Sequence, residues 1–279
     1  MTDVAVDTPL TSFQTKWAAA HPEFELGLKF VAERERRAQS AFACLVFELE
    51  HVAFAIREAE PATIKLQWWA EEFARAGKGD ARHPLTQALA AHSRYAAVPL
   101  AHWYEVVAGA LAQRDPVPAA DRAALLEGHA ALYRPLAVIE AALFPALDAA
   151  PAVSVRSLAR ALRDTAALGD ALRDGRLPLP LDLLAKHRLA RGDLARTSPP
   201  QVAMLREWLL ALASDFSAAA AAAHARGCAL HAAAASADHW RARMAGRAVD
   251  PLVTLNASFA LLPLRATWAA WRAGQRSRR

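Results

Sequence analysis

From Phe42 onward the apolar residues Phe42, Leu45, Leu49, Val52 and Ile56 recur at spacings of three and four. That period matches the turn of a helix and lays one stripe against a core. Similar segments follow one another along the chain, and the breakers fall between them. Glu58-Ala59-Glu60-Pro61, Gly77-Lys78-Gly79-Asp80, Asp115-Pro116-Val117-Pro118, Leu177-Pro178-Leu179-Pro180 and Thr197-Ser198-Pro199-Pro200 each interrupt a run. Proline lacks a backbone donor and restricts the residue before it, and glycine weakens a helix interior. Helices are therefore predicted over residues 24–58 and 62–76, from His83-Pro84 onward, and over residues 100–112, 120–144 and 155–172. Two more are predicted over residues 201–235, with a bend at Gly227, and 251–273. Asp121 and Ser154 suit N-caps, and Asp182 suits the cap of the helix after Pro180.

Hydrophobic residues make up 54% of the 279, and alanine, the strongest helix former, supplies much of that share. β-branched residues are sparse, which weighs against sheet. With short loops and no fixed-period repeat, the expectation is one all-α domain over residues 24–273. An N-terminal extension (residues 1–23) precedes it and a basic tail (residues 274–279) follows. Cys44 and Cys228 are the only cysteines, so neither a disulfide framework nor a cysteine-rich zinc site is available, which fits a reducing cytoplasm. Met1 to Asp7 lacks the basic start and apolar stretch of a signal peptide. No uninterrupted apolar run reaches the roughly 18–20 residues of a membrane span. The alanine-rich stretch 218–235 is broken by His224, Arg226 and His231.

The net charge is +5, and part of the excess sits at Arg272, Arg276, Arg278 and Arg279. Such a tail is either a solvated terminus or a contact for the inner face of an anionic membrane. No nucleic-acid motif accompanies it. The histidines form no His-Glu-x-x-His set, and there is neither a nucleophile elbow nor a glycine-rich phosphate loop.

Two segments carry more information. Lys65-Leu66-Gln67-Trp68-Trp69-Ala70-Glu71-Glu72 is followed by His83-Pro84-Leu85-Thr86-Gln87-Ala88-Leu89, and Gly175-Arg176-Leu177-Pro178-Leu179-Pro180-Leu181-Asp182-Leu183-Leu184 comes about a hundred residues later. In this order and separation they resemble the squalene/phytoene synthase family. The resemblance runs from Leu26 to Ala273. It includes Leu125-Leu126-Glu127-Gly128-His129-Ala130, similar to a helix of small residues opposite the first Asp motif, and Ser258-Phe259-Ala260-Leu261-Leu262-Pro263-Leu264, similar to the last core helix. It implies an isoprenoid-synthase-like helical bundle around a central cavity. It also implies enzymes that join two prenyl diphosphates head to head, with Mg2+ held by two Asp-rich motifs on facing helices. Carboxylates at i and i+4 share a helix face. The metal neutralises the leaving diphosphate, and Arg and Lys complete the clamp.

The chain departs from that pattern. Beyond Phe47, where the family carries aspartates, stand Val52, Ala53, Phe54, Ala55 and Ile56. Glu48 and Glu50 lie slightly earlier, as part of an altered metal site or as helix charges paired with Arg57 or Lys65. Phe47-Glu48-Leu49-Glu50 resembles a degenerate branch of the family, which includes mitochondrial proteins that assist assembly of respiratory complex I. Leu162-Arg163-Asp164 begins like the second motif, but Leu168 stands where its next carboxylate belongs. Asp170 and Asp174 have the i,i+4 spacing, and either face the cavity or pair with Arg163 and Arg173 on a wet surface. The resemblance thus nominates Glu50, Asp170 and Asp174 for Mg2+, and Arg36, Arg37, Lys65 and Arg176 for a diphosphate. Trp68-Trp69 with Leu66 reads as core packing. Two functional readings follow. One is a catalytically degenerate protein that binds a prenyl-diphosphate-like ligand or serves a protein partner in assembly. The other is an active Mg-dependent prenyltransferase with an altered metal site.

Overall fold

The computed structural model describes residues 9–145 and 147–276, and among these there is no strand. The chain runs through α1 (Pro9–Ala20), α2 (Pro22–Leu28), α3 (Glu33–Glu50), α4 (Ala59–Gly77), α5 (Pro84–Ala90), α6 (Leu100–Ala112) and α7 (Arg122–Leu143). It continues through α8 (Ala149–Ala166), α9 (Leu168–Arg173), α10 (Leu181–Lys186), α11 (Pro199–Ala225), α12 (Ala229–Ala245), α13 (Pro251–Ser258) and α14 (Leu264–Arg276).

The run predicted over residues 24–58 is three pieces. Pro22 opens α2, which stops at Leu28. Arg36 of α3 then reaches back, its guanidinium donating to the carbonyls of Val31 (3.0 Å) and Lys29 (3.2 Å) and tying the corner. At its far end α3 passes into one π-helical turn, His51–Ala55. The α-helical ladder is interrupted from that turn to the start of α4, where Glu58 accepts from the Ala62 amide. Arg114 braces the break, donating to the carbonyls of Val52 (3.3 Å), Ile56, Arg57 (3.0 Å) and Glu58 (3.3 Å).

Other boundaries follow local chemistry. Asp121 caps α7 by accepting from the Ala124 amide at 2.8 Å. Asp148, not Ser154, caps α8, accepting from Ala150 N at 3.0 Å, while the Ser154 hydroxyl donates to the Ala150 carbonyl from inside the helix. The expected cap at Asp182 falls instead within the first turn of α10, which follows Pro180. Gly227, at φ +74, adopts the left-handed conformation that separates α11 from α12 completely rather than bending one helix. The run 251–273 is split before Pro263, so the segment likened to a last core helix is a corner with Leu261 and Leu262 exposed.

At the centre lies α12, packed against α2, α8, α11, α13 and α14. Its buried residues are mostly alanine, Ala232 to Ala235, Ala237, Ala242 and Ala245 among them, with His231, Asp238 and Arg241 as buried polar groups. Small side chains let neighbours approach to backbone contact, and a Cβ on Gly27 of α2 would lie 2.8 Å from the Leu230 Cα. Helices α3, α7 and α8 contribute most of the lining of the cavity described below. Within the first 23 residues, set apart above as an extension, α1 packs on α3 and buries Trp17 in the core. Leu66 and Trp69 are core residues as predicted, while Trp68 is 38% exposed.

Candidate functional site: a buried charge centre beside an open cleft

Arg156, Arg160 and Arg163 of α8 share one helix face by their spacing of four and three. With Trp17, Phe24, Val46, Phe47, Glu50 and Tyr133 they enclose the central cavity, whose volume is about 30 Å³. That is room for a few water molecules and far less than a prenyl chain occupies.

Each of these guanidinium groups has an acid. Arg156 lies 3.3 Å from Glu140 of α7, and His231 of α12 lies 3.1 Å from the same carboxylate. Arg163 bonds Glu23 at 3.2 Å. Arg241 of α12 bonds the other Glu23 oxygen at 3.1 Å and Asp238 at 2.6 Å. Burial alone would raise the Glu140 pKa, but the His231 and Arg156 charges and hydrogen bonds outweigh it and hold it at about 2. Glu23 likewise resists burial through its bond to His21 and the charges of Arg163 and Arg241, and stays far below the usual carboxylate range. For Asp238 burial wins and the pKa is raised.

Arg160 pairs with Asp164 one turn on, and its guanidinium lies 4.2 Å over the Phe54 ring. The other Asp164 oxygen lies 3.6 Å from His129 Nε2. Burial opposes the Arg160 charge, but the Asp164 charge and hydrogen bond exceed it and raise the pKa. His129 is pushed down by burial, which the Asp164 charge offsets only in part. The Tyr133 hydroxyl donates to Glu50 at 2.7 Å. Burial first, then the Glu50 charge, pushes that phenol well above its ordinary value.

Beyond Arg160 the molecule opens. A cleft of about 480 Å³ is walled by Phe54, Pro116, Pro118, Leu125, Leu177 and Pro178, with Gln113, Asp115, His129, Asp164 and Arg176 as its polar groups. Size and lining match small-molecule sites, which are mostly apolar with a few placed polar groups. A neighbouring hollow of about 320 Å³ is lined by Ala53, Phe54, Ile56, Arg57, Arg114, Asp174 and Arg176.

The model of the squalene/phytoene synthase family matches residues 18–272. The chain belongs to this family. Its fold is similar to a dehydrosqualene synthase solved in complex with ligand, with a TM-score of 0.62 at 12% identity, covering 91% of this chain and 98% of that one. It is also similar to the squalene synthase HpnC from Alicyclobacillus acidocaldarius, with a TM-score of 0.61 at 14% identity, covering 89% of this chain and 92% of that one. Among curated proteins none matches.

Within this squalene/phytoene synthase fold, Glu50 lines the enclosed cavity, Asp174 lines the outer hollow, and Asp170 lines neither. Asp170 is more than half exposed and pairs with Arg173 and, at 3.8 Å, with Arg57. Asp174 pairs with Arg57 at 3.5 Å and Arg176 at 3.6 Å. Arg57 is thus the partner where Arg163 was the expected one. Among the described residues no three His, Cys, Asp or Glu side chains converge in a way that would hold a metal ion. The donor set in this arrangement does not fit Mg2+.

Of the basic candidates, only Arg176 lines the cleft. Lys65 is tied to Glu48 at 3.5 Å, beside Lys16 at 3.0 Å. Arg36 and Arg37 border a separate open hollow with Gln14 and Ser40. Sequence reasoning passed over Arg160, Tyr133 and the Glu23–Arg241 pair. The spacing of Arg156, Arg160 and Arg163 was the available signal for a charged inward face.

Proposed function

We propose that this family member binds a prenyl-diphosphate-like ligand without ionising it, and works as a binding or assembly protein rather than as a prenyltransferase. The observation that carries this reading is the pairing at the centre, where Arg160 neutralises Asp164 and Tyr133 engages Glu50. Freeing either carboxylate for a metal would leave a buried guanidinium or phenol without its partner, at a cost of about 3–5 kcal/mol for the ion pair. The segment after Phe47 adds support, since it contributes Ala53, Phe54 and Ile56 to the hollow that holds Asp174, and no carboxylate. The cleft offers the ligand an apolar wall for its chain and Arg176 for its anionic end. Arg fits such an oxyanion through its planar fork of donors.

The test is incubation with Mg2+ and farnesyl or geranylgeranyl diphosphate, following pyrophosphate release and lipid product together. The expected outcome is no turnover, with a rise in melting temperature on adding the diphosphate that persists in chelator and is lost in Arg176→Ala. Mg-dependent product that disappears in Glu50→Gln would overturn the reading. One observation favours the second reading, an active enzyme with an altered metal site: Asp170 and Asp174 keep the i,i+4 spacing beside Arg176. Turnover lost in the Asp170→Ala/Asp174→Ala variant would establish it.

A further inference from the structure

The last helix is built with its large side chains outward. Ala266, Ala270, Ala273 and Gly274 form the buried face of α14, and Gly274 sits so close to Phe30 that a Cβ would meet its carbonyl oxygen at 2.9 Å. On the opposite face Leu264 is 88%, Trp268 57% and Trp271 47% exposed. The preceding corner adds Leu261 and Leu262, also exposed. Two tryptophans and three leucines exposed between residues 261 and 271 make this segment a candidate contact surface.

The neighbouring stripe says what kind of surface that is. Arg265, Arg272 and Arg276 stand along one side of the aromatic face, and none makes an ion pair among the described residues. From Pro251 to the end the chain has five arginines, 265, 272, 276, 278 and 279, and no Asp or Glu. Arg278 and Arg279 lie outside the described residues. The Arg272 guanidinium lies 4.5 Å over the Trp268 ring, which keeps charge and aromatic at one level. His224 of α11, which lies within reach of the Arg272 and Arg276 charges, adds no negative charge. Its own pKa is lowered by burial and then by Arg276 and Arg272.

We propose that this face of α14, with the Leu261-Leu262 corner, docks on an anionic lipid surface. Tryptophan and leucine beside a cationic row are the composition that settles at the headgroup boundary, apolar groups inserted and charge meeting lipid phosphate. Contact is from one side only, because no helix among the described residues is long and apolar enough to cross a membrane. A second copy of the chain fits poorly. A two-fold contact places the same patch against itself, arginines included.

The experiment is co-sedimentation of the full chain with vesicles of phosphatidylcholine alone or mixed with phosphatidylglycerol, over a range of salt. The expected result is binding to the mixed vesicles that falls with salt and is absent on phosphatidylcholine. Arg272→Glu/Arg276→Glu should weaken it by about tenfold or more. Trp268→Ser/Trp271→Ser should weaken it as well, with circular dichroism unchanged. Should the tryptophan variant unfold, the arginine variant, changed only at exposed positions, decides alone. No sedimentation with mixed vesicles, or equal sedimentation by folded variants, overturns the proposal. So does light scattering that shows a dimer dissolved by the tryptophan substitutions, which would make the face an interface between copies.

Discussion

Helices α8 and α14 carry three arginines each and treat them in opposite ways. In α8, Arg156, Arg160 and Arg163 point inward, each against a carboxylate from α7, α8 itself or α2. In α14, Arg265, Arg272 and Arg276 point outward beside exposed tryptophans, without an acid. A guanidinium leaves water only when a carboxylate goes with it. The difference teaches that composition alone does not assign a role to charge in this chain. The inward arginines hold the bundle together, and the outward ones leave their charge available to something outside it.

The largest expected effect breaks or upholds that contrast directly. Glu23→Gln deprives both Arg163 and Arg241 of their shared carboxylate, and should cost about 3–5 kcal/mol in urea unfolding. A cost as small as that of a surface substitution would mean that the inward arginines are solvated after all. Acid sharpens the comparison next. Glu140 is depressed from 4.5 to about 2, so its contribution is fully present above the unfolded value and is lost as pH falls through the folded one. Stability should therefore drop between about pH 4.5 and 2, by up to about 3 kcal/mol from this group. Glu140→Gln should flatten the slope in that window, and an unchanged slope would assign the acid sensitivity to other carboxylates. The smallest effect belongs to α14. Arg265→Gln should shift stability by no more than about 0.5 kcal/mol in a thermal melt, and a larger loss would reveal an inward role there too.

Much of the fold was legible because its signals are local. Breakers, the Asp121 cap and Gly227 act within a turn or two, and the helices begin and end near them. The three-piece division of residues 24–58 was not legible. The donors that finish it come from Arg36 at one corner and from Arg114 at the other, the latter up to 62 residues away. The centre was harder for the same reason, since Glu23 and Arg241 meet across 218 residues. Glu50 was open to two readings, metal ligand or helix charge, and its partner Tyr133, 83 residues away, was not legible. The spacing of Asp170 and Asp174 was legible too. Their direction was not, because α9 is a separate short helix whose acids meet Arg57 on the far side of the π-turn.

Arg160 has one more consequence. A metal held between carboxylates is borrowed from solution, and a fold that depends on it gains stability in proportion to the logarithm of metal concentration. A guanidinium attached to the chain arrives with translation, in fixed ratio, and no chelator withdraws it. On the non-catalytic reading proposed above, the positive charge that faces Asp164 is supplied by Arg160 itself and does not vary with magnesium supply.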